Sequence, residues 1–460
     1  MISVSAVEEF LHRVEDVAEG PPPAAHAPAG HTPVTAIAEQ WQKLGIRPGE
    51  VVMLCLPNGK GLLEQFFGIL LAGGVPALVS PNTPSARIHE LIAAIGAGAI
   101  GQVRARPGDH STAIGAVHAH RLHRDGPPAA ATGEVVLLTS GTSGFASGCV
   151  FDFGQLMLNA ERHAQAIGQE TGDTVLINLP LHFSFALVAQ ALASFVRRNR
   201  LIISGPPFHT PSYLRTLAKH EVTISSLTPI LVRSMKEHFA PPGTLRVLTV
   251  GGDQLAAREV EHLLRLRPQG QLYITYGLTQ AGPRVSTLAA HAEPARRFAS
   301  VGRPHPGVTA ALHDLNDGSR MKQLYIASAT TMKRKIGLIE GVPVAAQTSD
   351  RSIATGDVFE EDGEGYLYFH GRISDYIVRN GEKICLAAIR RVAMGCPNVL
   401  RARTVVSRHD YGEDFDLVLD LADGAADASS DLLRKWLRRS EMPRSIQVAR
   451  SEAAPVAGYK

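Results

Sequence analysis

Two hydrophobic periods alternate along most of this chain. Apolar residues recur at helical spacing in "AIAEQWQKLG" (36–45), "LLEQFFGILLAGG" (62–74) and "RIHELIAAIGAG" (87–98). The same spacing returns in "QLMLNAERHAQAIG" (155–168) and "EVEHLLRLR" (259–267). Between them lie short, nearly continuous apolar runs: "VVMLCLP" (51–57), "PALVS" (76–80), "VVLLT" (135–139), "TVLINLP" (174–180), "RLIIS" (200–204), "VTISSL" (222–227) and "LRVLTVGG" (245–252). Runs of that length, rich in Val, Ile and Leu, predict strands buried on both faces. Their alternation with helices predicts an α/β fold with a largely parallel sheet.

From about residue 298 the texture changes to short strands and turns. "FEEDGEGYLYFHGR" (359–372) places Asp-Gly and Glu-Gly between aromatic runs, the signature of a β-hairpin. The last ninety or so residues read as a small α+β unit. Near the start, "GPPPAAHAPAGHTP" (20–33) has the Pro, Ala and Gly bias of a linker. The expected division is therefore an N-terminal segment and linker (1–33), a large domain of layered α/β subdomains (34–371) and a small C-terminal domain (372–460).

Composition narrows the class. The chain has 460 residues, 45% hydrophobic and 19% charged, as expected of globular domains. A net charge of +3, with no dense Lys/Arg stripe, argues against nucleic acid as a partner. The most apolar stretch, 61–80, contains Glu64 and Gln65 and is broken by "GGVP". It reads as helix, turn and strand, not as a membrane span. Four scattered cysteines without Cys-x-x-Cys, and an N-terminus without a continuous apolar core, point to a reducing compartment, with the cytoplasm expected.

Chemistry concentrates in "LLTSGTSGFASGCV" (137–150). A strand leads into glycines and hydroxyls, and a helix pattern follows. A strand–glycine loop–helix arrangement presents backbone N–H groups to phosphate oxygens. No Gly-Lys-[Ser/Thr] closes the loop and no Gly-x-Gly-x-x-Gly is present, so it is neither a Walker loop nor a dinucleotide fingerprint. Further on come "LPLHFSF" (179–185), "VGGDQL" (250–255), "TYGLTQ" (275–280), "TGD" (355–357) and "GRISD" (371–375).

In that order these segments resemble the ANL superfamily of adenylate-forming enzymes, which comprises acyl-CoA synthetases, peptide-synthetase adenylation domains and luciferases. The resemblance spans about residues 34–460. It implies a large domain joined to a small mobile one, and a ligase that uses ATP and Mg²⁺ to convert a carboxylic acid into an acyl-adenylate. The acyl group then passes to coenzyme A, to the phosphopantetheine of an acyl or peptidyl carrier protein, or to an amine.

The resemblance also implies roles for particular residues. Thr139, Ser140, Gly141, Thr142, Ser143 and Gly144 would clamp the pyrophosphate portion of ATP, and Thr279 would bind the α-phosphate. Tyr276 and Gly277 would lie against adenine, with Gly251, Gly252 and Asp253 at the pocket edge. Asp357 would accept the ribose hydroxyls, and Arg372 would contact ribose or phosphate. Asp375 matches the hinge, and the loop around Gly381 would face the incoming nucleophile. His182, Phe183 and Gly277 would border the acyl pocket. No acid follows Phe183, where amino-acid-activating members carry an aspartate, so an apolar or aryl acid fits better than an α-amino acid.

Three departures stand out. Ala146, Ser147 and Gly148 replace the family's Pro-Lys-Gly; Gln280 replaces a metal-holding glutamate; and Tyr459 separates Gly458 from Lys460, the candidate catalytic lysine. Two readings follow. In one, the chain is a working ligase in which amides, hydroxyls and Mg²⁺ compensate. In the other, it binds a nucleotide or acyl ligand without turnover. Retention of Tyr276, Thr279, Asp357, Arg372, Asp375 and a terminal lysine favours the first.

Overall fold

The structure is a computed structural model. It describes residues 2–17, 32–104, 111–115, 117–123, 126–139, 147–235, 239, 241–315, 321–339, 342–343, 352–379, 382–409, 412–422, 433, 437 and 439–450. Among these, two large sheets make up most of the N-terminal region. The first runs in the spatial order Val14–Asp16, Arg200–Ile203, Thr174–Ile177, Ile224–Leu227, Val247–Gly251, Gln271–Gly277, Arg284–Ala289, Arg303–Pro304. Its strands are parallel as far as Gln271–Gly277, and the last two pairings are antiparallel. The second centres on Val51–Cys55, flanked in parallel by Val75–Leu78 and Ala97–Gln102. Its outer pairings are antiparallel. The expected parallel sheet thus holds at both centres and gives way to hairpins at the margins.

Strand Val51–Cys55 shows why its sequence is apolar throughout. All five residues are buried. Val52 and Leu54 join the main core, whereas Val51, Met53 and Cys55 pack in a second core with Ile88, Leu91 and Ile95 of helix Ser85–Ile95. A two-residue period sends alternate side chains to opposite faces, and helices cover both. Helix Lys60–Leu71 and strand Val75–Leu78 appear where the sequence placed them, and among the described residues no helix is long and apolar enough to cross a membrane.

The grouping of residues 1–33 as a segment outside the large domain needs correction. Helix Val4–His12 buries Val7, Phe10 and Leu11, an i, i+3, i+4 stripe. Phe10 meets Phe67 and Phe195 edge-on, with ring centroids 6.1 and 5.4 Å apart. Strand Val14–Asp16 then pairs in parallel with Arg200–Ile203. These residues are part of the first sheet and its core. Residues 18–31, which hold most of the Pro-Ala-Gly stretch, lie outside the described residues.

A four-stranded antiparallel sheet follows: Val308–Asp314, Lys322–Ser328, Ser352–Glu361 and Leu367–Arg372. Its last two strands are the expected hairpin. At the turn, the Asp362 carboxylate accepts the N–H groups of Glu364 and Tyr366, at 2.9 and 3.0 Å. The C-terminal part consists of the ribbon Tyr376–Arg379/Glu382–Cys385, helix Leu386–Met394 and a sheet of Val399–His409, Gly412–Leu421 and Ile446–Arg450.

A buried ion cluster pins the base of the glycine-rich segment. Glu134, 1% exposed, accepts from Arg334 at 3.0 and 2.8 Å, from Lys333 at 2.7 Å and from the Ala131 N–H at 2.8 Å. Burial pushes its carboxyl pKa up, but Arg334 and Lys333 outweigh burial and lower it from 4.5 to about 2. A depressed carboxyl contributes stability that is present above the unfolded value and lost as pH falls through the folded one. The contribution is at most about 3 kcal/mol. Glu134→Gln should lower the unfolding midpoint at pH 7 and flatten the acid dependence between pH 4.5 and about 2. Denaturant titrations of both proteins at neutral and acid pH measure this.

Candidate adenylate-forming site

One cavity of about 530 Å³ gathers ten of the residues singled out in the sequence. Thr139, Phe183, Gly252, Asp253, Tyr276, Gly277, Thr279, Gln280, Asp357 and Arg372 all line it. They come from the C-terminal ends of strands in both large sheets and from the hairpin of the small sheet. Such strand ends are where open α/β sheets place ligands.

The glycine-rich segment departs from expectation. Strand Glu134–Thr139 is followed by a second strand, Ser147–Asp152, antiparallel to it with Thr139 opposite Ser147. Helix Phe153–Ala166 begins only after that strand. A strand therefore stands between the glycine-rich segment and the helix in the chain. Phe151 and Val150, both fully buried, continue a strand pattern that the glycines had obscured. Ser147 sits where the family lysine was expected, and its Oγ is 2.9 Å from Thr139 Oγ1. Ser140, Gly141, Thr142, Ser143, Gly144, Gly381 and Lys460 lie outside the described residues.

Tyr276, Asp357 and Arg372 form a connected group. Strand register sets Asp357 opposite Arg372. Tyr276 Oη donates to Asp357 Oδ2 at 2.7 Å, and the Tyr276 ring lies edge-on to Phe359 at 4.8 Å. Arg372 Nε lies 3.0 Å from Asp357 Oδ1, an oxygen that accepts no hydrogen bond of regular geometry among the described residues. Asp357 is 2% exposed, and burial raises its carboxyl pKa against the pull of Arg372. Burial, then the neighbouring carboxylate, also hold the Tyr276 hydroxyl well above 10. Tyr276 is thus a neutral donor, and Asp357 keeps an acceptor oxygen for a hydroxyl ligand.

Two glycines are required by close approach and by the turn. A Cβ on Gly277 would stand 2.1 Å from the Pro283 carbonyl oxygen, where the chain folds back through Thr279–Ala281. Gly252 has φ of +91° as it leaves strand Val247–Gly251. Gly251 itself pairs with Thr275 inside the sheet and is not among the cavity-lining residues. After the turn, Thr279 Oγ1 lies 3.2 Å from Ser184 Oγ, so two hydroxyls stand together where the chain was expected to meet phosphate. Gln280 is among the residues that line the same cavity.

His182 is not among the cavity-lining residues. It packs on Phe183 with ring centroids 4.4 Å apart, and burial lowers its pKa to about 4, leaving it neutral at pH 7. Asp375 also stands outside the cavity. Its Oδ2 accepts the Arg372 N–H at 2.8 Å, and its Oδ1 meets Arg390 Nη2 at 2.6 Å, linking the hairpin to helix Leu386–Met394.

Arg284 was not singled out in the sequence. It lines the cavity, is 3% exposed, and lays its guanidinium 3.7 Å from the centroid of the Phe185 ring. Its Nε and Nη2 have no hydrogen-bond partner among the described residues. The available signal was a lone cation opening an otherwise uncharged strand, "RVSTLA", just after the Thr279 turn.

A second cleft, about 660 Å³, adjoins the first through Thr228, Asp253, Gln254, Leu255, Ala299, Phe369 and Arg401. It lies between the larger domain and the C-terminal part. Arg233, Arg258, Arg390, Arg391, Arg401 and Arg403 line it, against the acids Asp253 and Glu259.

With layered sheets meeting at this cavity, the architecture is that of an adenylate-forming enzyme. The family model described as "AMP-binding enzyme" matches residues 31–334, and the chain belongs to that family, within the ANL superfamily. A feruloyl-CoA synthase of an Amycolatopsis species is 26% identical over 444 residues, covering 90% of this chain and 88% of its own length. A 4-coumarate-CoA ligase of Narcissus pseudonarcissus is 24% identical over 441 residues, covering 86% and 79%. Among solved structures, the o-succinylbenzoate CoA synthetase of Bacillus subtilis in complex with its acyl-adenylate intermediate has a TM-score of 0.74. It is 20% identical, covering 90% of this chain and 88% of its own.

Proposed function

We propose that the chain is an AMP-forming acid–thiol ligase acting on a carboxylic acid with an apolar or aryl body. The observation that carries this reading is that the Tyr276–Asp357–Arg372 group and the Thr279–Ser184 hydroxyl pair line one cavity. Asp357 accepts the ribose hydroxyls, a carboxylate's two oxygens matching a diol. Tyr276 and Gly277 border the adenine, and Thr279 holds the α-phosphate.

A carboxylate oxygen of the acid attacks the α-phosphorus. The bond to the β-phosphate oxygen breaks, and pyrophosphate leaves with its electron pair. Thiol sulfur then attacks the acyl carbon; the proton goes to solvent, and AMP departs. Hydroxyls and amides aimed at the phosphoryl oxygens stabilise charge that grows in the first step. Thr139 and the Ser140–Gly144 segment serve the pyrophosphate portion, and Lys460 serves the adenylation step. Mg²⁺ takes few protein ligands beside nucleotide phosphates, so one amide oxygen, from Gln280, fits the ion that arrives with ATP. The ion supplies charge neutralisation.

The acceptor proposed is coenzyme A. Six arginines line the adjoining cleft; Arg233, Arg390 and Arg403 pair with Glu259, Asp375 and Asp420, and the positive surplus that is left suits a thiol carried on a polyanionic nucleotide. Ser147 and Gln280 favour a second reading, ligand binding without turnover, because each replaces a charge with a neutral group.

ATP–pyrophosphate exchange over a panel of carboxylic acids separates the two. Label returning to ATP with at least one acid supports ligation. Measured ATP binding with no exchange for any acid supports the non-catalytic reading.

A further inference from the structure

Arg284 sits where a charge is expensive to keep. The side chain is buried against Phe185, and its Nη1 lies 3.3 Å from the position a Cβ on Gly251 would take. Among the described residues no carboxylate pairs with it. Segment 140–146 of the sequence holds no acid either. The nearby imidazoles of His163 and His305 are driven toward the neutral form, by burial first and then by the Arg284 charge. Burial lowers the pKa of the guanidinium itself to about 9, which leaves it charged at neutral pH. A cation–π contact returns less than desolvating an ion costs. An unpaired buried cation bordering a ligand cavity therefore points to an anion on the ligand.

The position says which part of the ligand. Arg284 pairs with Gly277 across the antiparallel ladder, and its guanidinium reaches back along the strand to Gly251 and Thr275. Thr275 lies about 7 Å up the strand from Gly277, where the chain turns toward Thr279. The charge is thus set back from the hydroxyls assigned to phosphate and lies against the Phe185 ring at the border of the same cavity. We infer that Arg284 selects carboxylic acids carrying a second carboxylate at the far end of the apolar or aryl body. The inference rests on the ligase reading above. The adenylated carboxylate reacts near Thr279 while the distal one pairs with Arg284.

The test uses the full chain and matched acids: straight-chain and aryl monocarboxylates against dicarboxylates of equal length. In pyrophosphate exchange, dicarboxylates should lead by about tenfold or more in kcat/KM. Arg284→Met should remove that lead and spare the monocarboxylates. A second readout needs no turnover: dicarboxylate with AMP should raise the melting temperature of the wild type and not that of Arg284→Met. Should Arg284→Met not fold, Arg284→Lys replaces it, with dicarboxylate affinity weakened about threefold or more and monocarboxylates unaffected. Exchange led by monocarboxylates, in a ratio these variants leave unchanged, would overturn the inference while leaving adenylation standing. Dicarboxylate stabilisation that depends on Arg284, with no exchange for any acid, would uphold the inference and defeat adenylation.

Discussion

Asp357→Asn is expected to slow adenylation on the order of a hundredfold, about 3 kcal/mol, while leaving the ligand-free protein at least as stable as the wild type. The carboxylate lies between Tyr276 Oη at 2.7 Å and Arg372 Nε at 3.0 Å, 2% exposed. An amide still accepts from Tyr276, but its second atom is a donor. It can neither accept a ribose hydroxyl nor hold Arg372, so the loss falls on nucleotide recognition. Stability runs the other way. A carboxyl whose folded pKa is raised favours folding below its unfolded value, and that advantage is lost as pH rises through the folded value. Above the folded value the wild type carries the cost of a buried charge, and Asn removes it. Exchange kinetics and thermal unfolding at pH 8 read the two effects separately. A large fall in the unfolding midpoint would assign Asp357 a structural role instead.

Asp375→Pro is expected to separate the half-reactions: pyrophosphate exchange kept within about tenfold, acyl transfer to coenzyme A reduced by about a hundredfold or more. Proline fixes φ near −65° and restricts the residue before it, so a rotation about this position is blocked. The substitution also removes the carboxylate that holds the Arg372 N–H and Arg390. Asp375→Ala makes the same deletion and leaves the backbone free, so it should retain both half-reactions within about tenfold. Equal losses in exchange and transfer for the proline variant would remove Asp375 from the role of hinge.

Local chemistry made some of this legible in the sequence. The Asp362–Gly365 turn was readable because Asp side chains cap their own turns, as the bonds to Glu364 and Tyr366 show. The buried strands were readable from uninterrupted Val, Ile and Leu. Order along the chain made Tyr276, Thr279 and Asp357 readable, although nothing in their spacing required the Tyr276–Asp357 hydrogen bond, which joins strands of different sheets. Strand Ser147–Asp152 was hidden because glycines and serines dominate its approach and a helix pattern begins directly after it. Helix Val4–His12 was set apart by the proline-rich stretch that follows, although Val7, Phe10 and Leu11 carry a core-facing stripe. His182 was given a place in the acyl pocket by its motif, yet it packs on Phe183 outside the lining. Arg284 left only the signal of a lone cation in an uncharged strand, which is weak because a single arginine in a strand usually reaches solvent and only the tertiary packing buries it.

The most direct measurement follows oxygen. Carboxylate attack on the α-phosphorus leaves one substrate oxygen bridging acyl carbon and phosphorus, and thiol attack at the acyl carbon releases that oxygen with AMP. A substrate acid labelled with ¹⁸O in both carboxylate positions, incubated with ATP and coenzyme A, should give AMP carrying one ¹⁸O atom and an acyl-CoA carrying the other. Unlabelled AMP, or ADP as the nucleotide product, would contradict acyl-adenylate formation at this site.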